Sequence, residues 1–538
     1  MCRGREDEEH SELAGDDPAA PLESRAGAGP GARDRRGEGR GLTYDLLVVG
    51  GGIQGAAVAR DAALRGLRVV LLDRGDLASG TSSRSSKLIH GGIRYLETGQ
   101  FRLVREALHE RALLLELAPE YVRPLPFLIP HYRGEGRSRL AVRAGLALYA
   151  ALAGKQRLAD HRTVGSTEAL ALEPALRPDG LLGASLYWDA QMDDAQLCVA
   201  VAIDAERAGA ALHTYTELVR LVPEGSGWRG SFRDVDTGRE GEAEARSVVN
   251  AAGPWAEDVR GLARPSARAG IRRTRGTHVV LPGFTRERAL LLSARRDGRV
   301  FFVLPWGDFS LVGTTDVDDG TAPERVKAHP EDIRYLLEET ARVLPRHNPG
   351  QPPLRAFAGV RSLAHGSAIR PWANSREHRI VEDGSMLTLI GGKYTTHRSL
   401  AERVVDRVVR YAGIRAGVCR TRTTPLPGGR AKSIAGLEAR HPGRLIAAGS
   451  LEITEAEAVY AVQAERARHL EDVLERRTRL WLRADAMRRA SERVAAWMAP
   501  HLGWDHAARD REVRRVVDAL DDERDRIEAA LAAPRGGA

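Results

Sequence analysis

The sequence predicts an α/β protein with a helical end, and three observations predict it. A strand, glycine turn, helix and strand follow one another over residues 43–76. Apolar runs of strand length recur between 245 and 390. From 431 onwards a helix-period pattern rich in Ala, Arg, Glu and Leu takes over. The chain has 538 residues, enough for roughly two to four domains.

Residues 1–41 are rich in Gly, Ala, Arg, Asp and Glu and contain no aromatic residue. Such a segment buries too little apolar surface to offset its ordering entropy, so disorder is expected there. Next comes TYDLLVVGGGIQGAAVARDAALRGLRVVLLDRGD, 43–76. LLVVG reads as a buried strand, AAVARDAALRG as a helix stopped by Gly66, and LRVVLLD as a second buried strand. Gly50, Gly52 and Gly55 occupy the GxGxxG positions. Gly50 permits the tight turn, Gly52 lets backbone approach a pyrophosphate, and Gly55 lets helix and strand pack closely. The free N–H groups and dipole at the helix start favour that anion. Asp73 ends the second strand, where a carboxylate accepts hydrogen bonds from ribose hydroxyls. With no basic replacement nearby, an unphosphorylated ribose is expected, hence FAD or NAD rather than NADP.

Further along, ARSVVNAAGPWAEDV (245–259) predicts a strand running into a Gly-Pro turn and a helix. GTHVVLPG (276–283) and RVFFVLPWGDFSLVGTTD (299–316) predict antiparallel strands, the latter a hairpin turning at Trp306-Gly307-Asp308. MLTLIGGKYTTHRSLAERVVDRVVRYAG (386–413) predicts a strand, a glycine turn and a long helix, and TTPLPGGR (423–430) a linker.

The composition excludes several classes. No run of about 18 uncharged apolar residues occurs; AGLALYAALAG (144–154) is too short to span a bilayer. MCRGREDEEHSE is acidic where the apolar part of a signal peptide would follow. Cys2, Cys198 and Cys419 form no CxxC pair, which argues against zinc or a disulfide framework and fits a reducing cytoplasm. Net charge is +8. Of 81 basic residues only five are lysine: Lys87, Lys155, Lys327, Lys393 and Lys432. A lysine kept in so arginine-biased a chain marks a place where a compact point charge is wanted. Lys87 and Lys393 both lie in glycine-rich, turn-like surroundings and are site candidates.

The stretches VVGGGIQGAAVARDAALRGLRVVLLDRGDLASGTSSRSSKLIHGGIRYLE, YWDAQMDDAQL, VVNAAGPWAED, RGTHVVLP, FVLPWGDFSLVGTTD, FAGVRSL and GGKYTTHRSLAE together resemble the FAD-dependent, quinone-linked glycerol-3-phosphate dehydrogenases, within the D-amino-acid-oxidase-like flavoprotein superfamily. The resemblance covers roughly residues 43 to 430, and GTSSRSSKLIHGGIRYLE is its most specific part. It implies a Rossmann-like FAD-binding domain interleaved with a mixed antiparallel-sheet substrate domain over 42–424, a C-terminal all-helical domain over 425–538, and an extension over 1–41. Residues 501–538 have no evident counterpart in the family.

The resemblance also implies the chemistry. FAD is the cofactor. Ser82, Ser83, Ser85, Ser86, Lys87, His90, Gly91 and Gly92 would pass along its pyrophosphate and ring, joined by Gly253, Gly392, Lys393 and Thr395. The substrate is sn-glycerol 3-phosphate, and a phosphate dianion calls for guanidinium forks. Arg94, Arg361 and Arg376 are the candidates, with Arg370 competing for the last place, and Lys393 could also reach the substrate. Oxidation of the C2 hydroxyl needs a proton acceptor, and a neutral histidine suits one near pH 7. His278 is the first candidate and His90 the second. Lys393, at a helix start, would stabilise negative charge on the reduced flavin. Arg361, His278 and Lys393 are therefore the expected catalytic set, with no metal.

Electrons then pass to a membrane quinone, implying a cytoplasmic protein held peripherally on the membrane. Two helices are candidates for that contact, over 137–155 and 397–411. A homodimer is left open. The same fold could use O2 as an oxidase, though no long insertion of the oxidase kind occurs. An amine or amino-acid oxidase would need a carboxylate site instead. A non-catalytic, nucleic-acid-binding flavoprotein is suggested only by the basic charge, which is spread along the chain without interleaved aromatics. No nucleic-acid partner is expected.

Overall fold

The computed structural model describes residues 43–265, 270–285, 287–345, 350–364 and 378–532. The expectations for residues 1–41, Arg370 and Arg376 lie outside the described residues.

Two sheets organise the chain. In the first, of eight strands, Thr43–Val49 lies at the centre, parallel to both Val69–Leu72 and Glu240–Asn250. Met386–Ile390 and Ala211–His213 extend the parallel core on either side. Strands of a parallel core are covered on both faces, which is why LLVV and VVLL carry no polar alternation. Leu46, Leu47, Val48, Leu71 and Leu72 are fully buried. The helix Ile53–Leu64 follows the first strand and ends before Gly66, whose φ of +86° supplies the left-handed exit.

The second sheet has ten strands, mostly antiparallel. Near one edge lies the long strand Ile271–Pro282, flanked by Phe309–Gly313 and Arg355–Ala364. The expected hairpin forms between Val300–Trp306 and Phe309–Gly313, with Trp306 opposite Phe309 and Gly307 at φ +60° in the two-residue turn. Chain order passes repeatedly between the two sheets, so the α/β architecture is interleaved. The helix His397–Ala412 then packs Leu400, Val404, Val405 and Val408 into the core that also holds Ala56, Ala59 and Ala63 of the first helix.

The C-terminal region is helical as expected, with one addition. A short hairpin, Arg444–Ala448 and Leu451–Thr454, precedes the helix Glu455–Ala464. The sequence LIAAGSLEIT alternates too briefly to stand out from its helical neighbours. Thr454 and Glu457 close a capping box at the start of that helix. The helices Ala484–Leu502 and His506–Ala532 complete the region. They do not stand apart from the sheets: Met487, Val494, Met498 and Leu520 share one core with Phe127, Leu304 and Trp306.

Two buried ionic links fasten this region to the sheets. Arg477 and Arg476 both reach Asp76, three residues beyond Asp73, with Arg477 Nη2 donating to Asp76 Oδ1 at 2.7 Å and Arg476 Nε to Asp76 Oδ2 at 2.6 Å. Glu523, on the last helix, accepts from Arg355 Nε at 3.0 Å. Arg355 begins the strand that also carries Arg361.

Candidate active site

A cavity of about 830 Å³ runs from the first glycine turn across to the second sheet. Its first end is built mainly from backbone. Gly50 has φ +110°, and a Cβ there would lie 2.6 Å from the Ala251 carbonyl oxygen, so only glycine fits. At Gly55 a Cβ would lie 1.8 Å from the Gly50 carbonyl oxygen, so the helix can approach the turn only with hydrogen at this position. Gly52 caps the helix without a side-chain bond, and Ser82 Oγ accepts from Ile53 N at 2.9 Å. Asp73 reaches into the turn, its carboxylate accepting from Gly51 N at 2.5 Å and Gly75 N at 2.7 Å. Burial pushes its pKa up to about 6, against the lowering effect of those two N–H groups. Gly253, at φ +54°, lines the same end. A glycine cradle at a helix N-terminus, with an acid at the next strand end, makes a set of groups that fits an adenine dinucleotide.

The other end is built from side chains. His278 sits on Ile271–Pro282 opposite Gly313 on one neighbouring strand and Phe357 on the other. It is buried, stacks on Phe357 at 5.3 Å, and its Nε2 lies 2.9 Å from Ser86 Oγ. Burial, then the Arg361 and Lys87 charges, hold its pKa well below the ordinary value, so the imidazole is neutral. Arg361 stands opposite Thr274 and donates to Thr315 O at 3.0 Å and Thr314 Oγ1 at 2.8 Å, with Asp316 Oδ1 at 3.2 Å. Glycines seat both groups. A Cβ at Gly313 would lie 2.2 Å from the His278 ring, and one at Gly276 would lie 2.3 Å from the Arg361 guanidinium.

Lys393 ends the glycine turn Gly391-Gly392 and precedes the short 3₁₀ turn Tyr394–Thr396 that enters the helix His397–Ala412. Its ammonium lies 3.8 Å from the Tyr95 ring centroid, and the Arg94 guanidinium lies 5.0 Å from the same ring. One aromatic face system thus positions two cations at the cavity wall. The His90 N–H donates to Thr395 Oγ1 at 3.2 Å, linking the segment 85–97 to the Lys393 turn. The cavity therefore brings together Gly50, Gly52, Asp73, Ser82, Ser85, Ser86, His90, Arg94, Gly253, His278, Arg361, Gly392, Lys393 and Thr395.

It does not take in Ser83, Gly55, Lys87, Gly91 or Gly92. Lys87 needs the clearest correction. Its ammonium is buried in an ion pair with Asp194 and lies 4.3 Å over the Trp481 ring, so it is not directed at a cofactor. Asp194 also accepts from Ser85 N at 3.1 Å and Ser85 Oγ at 2.7 Å, while its carbonyl accepts from Tyr394 OH at 2.5 Å. The retained lysine is thus a fastening point: it holds the loop 83–87 onto the helix Asp194–Arg207. The Ser83 carbonyl accepts from Lys87 at 3.3 Å. Gly91 gives way to Leu108 and Tyr149, and Gly92 leaves room for Tyr95.

Tyr95, Phe302, Thr314 and Asp316 line the cavity without having been singled out from the sequence. Tyr95 adjoins Arg94, and an aromatic beside a site cation was the available signal. Asp316 closes the GTTD motif. For Phe302 the strand pattern carried no separate signal.

The two proposed membrane helices differ in the structure. In His397–Ala412, Arg398 is buried against Glu110 at 2.6 Å and Arg403 pairs with Glu106 at 2.8 Å. That helix is a core element and not a lipid-facing one. The helix Arg139–Ala153 turns only Leu146, Tyr149 and Ala153 fully inward, leaving Leu140 77% and Leu148 40% exposed. No helix among the described residues is long and apolar enough to cross a membrane.

The chain matches the family described as FAD dependent oxidoreductase over residues 45–387, and the C-terminal domain of alpha-glycerophosphate oxidase over residues 428–509. It is 37% identical over 525 residues to glycerol-3-phosphate dehydrogenase 2 of Mycobacterium tuberculosis (strain ATCC 25618 / H37Rv), covering 89% of this chain and 88% of that protein. It is 35% identical over 538 residues to the mitochondrial glycerol-3-phosphate dehydrogenase of Mus musculus, covering 89% and 73%. The fold is shared with the glycerol-3-phosphate dehydrogenase from Bacillus halodurans complexed with FAD, at a TM-score of 0.70 and 23% identity over 92% of this chain and 97% of that one. It is shared also with the FAD-bound L-alpha-glycerophosphate oxidase from Mycoplasma pneumoniae, at 0.57 and 19% over 72% and 100%.

Proposed function

Since the chain belongs to the FAD-dependent oxidoreductases and, within them, to the glycerol-3-phosphate dehydrogenase family, we propose that it oxidises sn-glycerol 3-phosphate to dihydroxyacetone phosphate and passes the electrons to a membrane quinone. The observation that carries this reading is the convergence of Arg94, Arg361, Lys393 and a neutral His278 on the cavity that begins at the Gly50–Gly52 cradle.

Each residue has a physical task in this reading. Arg94 and Arg361 attract the phosphate dianion; Arg361 keeps its guanidinium plane against the Thr314–Asp316 segment while doing so. His278 accepts the C2 hydroxyl proton. Its low basicity comes from burial and from the positive charges of Arg361 and Lys87. A bound dianion cancels part of that positive field and raises the imidazole's basicity when substrate is present. Ser86, hydrogen-bonded to Nε2, orients the ring or relays the proton. FAD, when bound, supplies the hydride acceptor. Gly50, Gly52 and Asp73 would hold its pyrophosphate and ribose, and Lys393 with the following helix start would favour negative charge at its ring.

The quinone reading draws on the family and on the exposed apolar face of Arg139–Ala153, flanked by exposed Arg137, Arg139, Arg143 and Lys155. Such a surface suits anionic lipid, and with the cysteine usage it supports a peripheral position on the cytoplasmic side. The test is anaerobic. Glycerol 3-phosphate should bleach the flavin of the purified holoprotein, while glycerol and a D-amino acid should not. A short-tailed quinone should then restore colour quickly and air slowly. Fast restoration by air would replace quinone by O2, and absence of bleaching would refute the substrate.

A further inference from the structure

The last helix, His506–Ala532, reaches the site from behind. It carries the buried Glu523, whose Oε1 accepts from Ala356 N at 2.7 Å and from Arg355 Nε at 3.0 Å. Arg355 also donates to Glu475 Oε1 at 2.9 Å and to the Trp481 carbonyl at 2.8 Å. These contacts fix the start of the strand Arg355–Ala364 just before Phe357. Phe357 stands opposite His278 and stacks on its ring with 15° between the planes, and the edge-on Trp481 ring backs it at 6.1 Å. Arg355 and Phe357 are two positions apart, so their side chains share one face of the sheet. The Arg355 cation is therefore a near neighbour of the His278 ring, and Glu523 and Glu475 offset it. The other charges facing the imidazole are Arg361, beside Asp316, and Lys87, paired with Asp194. Glu475 also faces Arg84 and Arg476. Arg355, Phe357 and Glu523 lie outside the cavity wall, so they act on the site only through His278.

We propose that Glu523 is a positioning residue for the proton acceptor. It holds the strand start so that Phe357 seats the His278 ring, and it offsets the Arg355 charge beside that ring. The inference rests on the reading of His278 as the group that accepts the C2 hydroxyl proton. The C-terminal helices then set both the pose and the basicity of a group on the second sheet. Glu523 lies beyond residue 509, where the match to the C-terminal domain of alpha-glycerophosphate oxidase ends.

Glu523→Gln keeps an oxygen for Ala356 N and removes the charge. In holoprotein, the rate of anaerobic flavin reduction by glycerol 3-phosphate should rise with pH as His278 loses its proton. One more net positive charge beside the ring favours the neutral imidazole, so in the variant that rise should shift to lower pH by about half a pH unit or more. A less basic acceptor should also lower the limiting rate by roughly two- to tenfold, with flavin content and KM unchanged. Combining Arg355→Gln with Glu523→Gln restores the parent's net charge and should return the rise to its parent position. Phe357→Leu leaves the ion network intact and should slow reduction at every pH. An unshifted rise in Glu523→Gln, or a loss of rate only in proportion to lost flavin, would overturn the assignment. The nuclear magnetic resonance signal of the His278 ring, in holoprotein carrying isotope-labelled histidine and assigned with His278→Ala, reads the pose without turnover. It should move in Glu523→Gln and in Phe357→Leu, and an unmoved signal would end the positioning role. Should glycerol 3-phosphate fail to bleach the parent while that signal still moves, the substrate reading falls and the positioning role stands.

Discussion

Glycine serves opposite purposes in the two sheets. In the first, Gly50 and Gly52 bring the main chain up to where a ligand would lie, and Gly55 lets the helix close on the turn behind them. In the second, Gly276 and Gly313 clear space on a strand so that a neighbour's side chain can lie flat: Arg361 over one, His278 over the other. The first end is shaped by main chain that the fold places and by the glycines that let it approach. The second is made of side chains whose position depends on what the adjacent strand omits. The difference teaches where each half should fail. Damage to the first should remove the cofactor, and damage to the second should spare the cofactor and slow chemistry.

Gly55→Val gives the largest expected effect. With a Cβ 1.8 Å from the Gly50 carbonyl, helix and turn must separate, and the purified protein should carry no flavin; a full yellow complement would break the comparison at once. His278→Ala comes next. Loss of a positioned proton acceptor costs roughly 10²- to 10⁴-fold, read as the rate of anaerobic flavin reduction, with flavin content unchanged. Gly313→Ala should act in the same direction by displacing the ring it seats, and a wild-type reduction rate in that variant would show the seat to be dispensable. Arg361→Ala removes charge-assisted bonds of about 1.5–3 kcal/mol, so KM for glycerol 3-phosphate should rise roughly 10- to 100-fold. Lost flavin with unchanged KM would move Arg361 out of the substrate end.

The smallest effect is the pH dependence of cofactor uptake. Burial raises the Asp73 pKa to about 6. Above that pH the ionised carboxylate would accept ribose hydroxyls; below it the proton occupies the acceptor. FAD affinity of apoprotein should therefore fall as pH drops below about 6, by up to about tenfold per pH unit. Asp73→Asn should bind FAD more weakly at neutral pH and lose this slope. A flat profile in the parent protein would exclude Asp73 from the ribose contact.

Much of the first half was legible because its information is local. Gly50, Gly52, Gly55 and Asp73 stand within 24 residues of one another, and each spacing follows from one turn and one helix. The second half was legible in residue type more than in contact. His278 and Arg361 could be named from RGTHVV and AGVRSL, but Gly276 and Gly313 beneath them could not, since strand register joins residues far apart in the chain. Lys87 was rightly marked as unusual and wrongly aimed. Its partner Asp194 lies 107 residues away, and nothing in SSKLIHGG says whether an ammonium turns toward a ligand or toward another helix. The C-terminal hairpin was missed because five and four residues are too few for alternation to compete with the helical pattern around them.

The fork formed by Arg476 and Arg477 on Asp76 bears on how the protein is made. Asp76 leaves the ribosome 400 residues before its first partner, so through most of synthesis the loop beside Asp73 lacks the cations that pin it. Until then a carboxylate meant for the interior must stay hydrated. We expect flavin loading to be a late event: chains stalled before residue 476 should not retain FAD through gel filtration, and chains released in full should. Retention by the shorter chains would mean that the nascent glycine turn suffices alone.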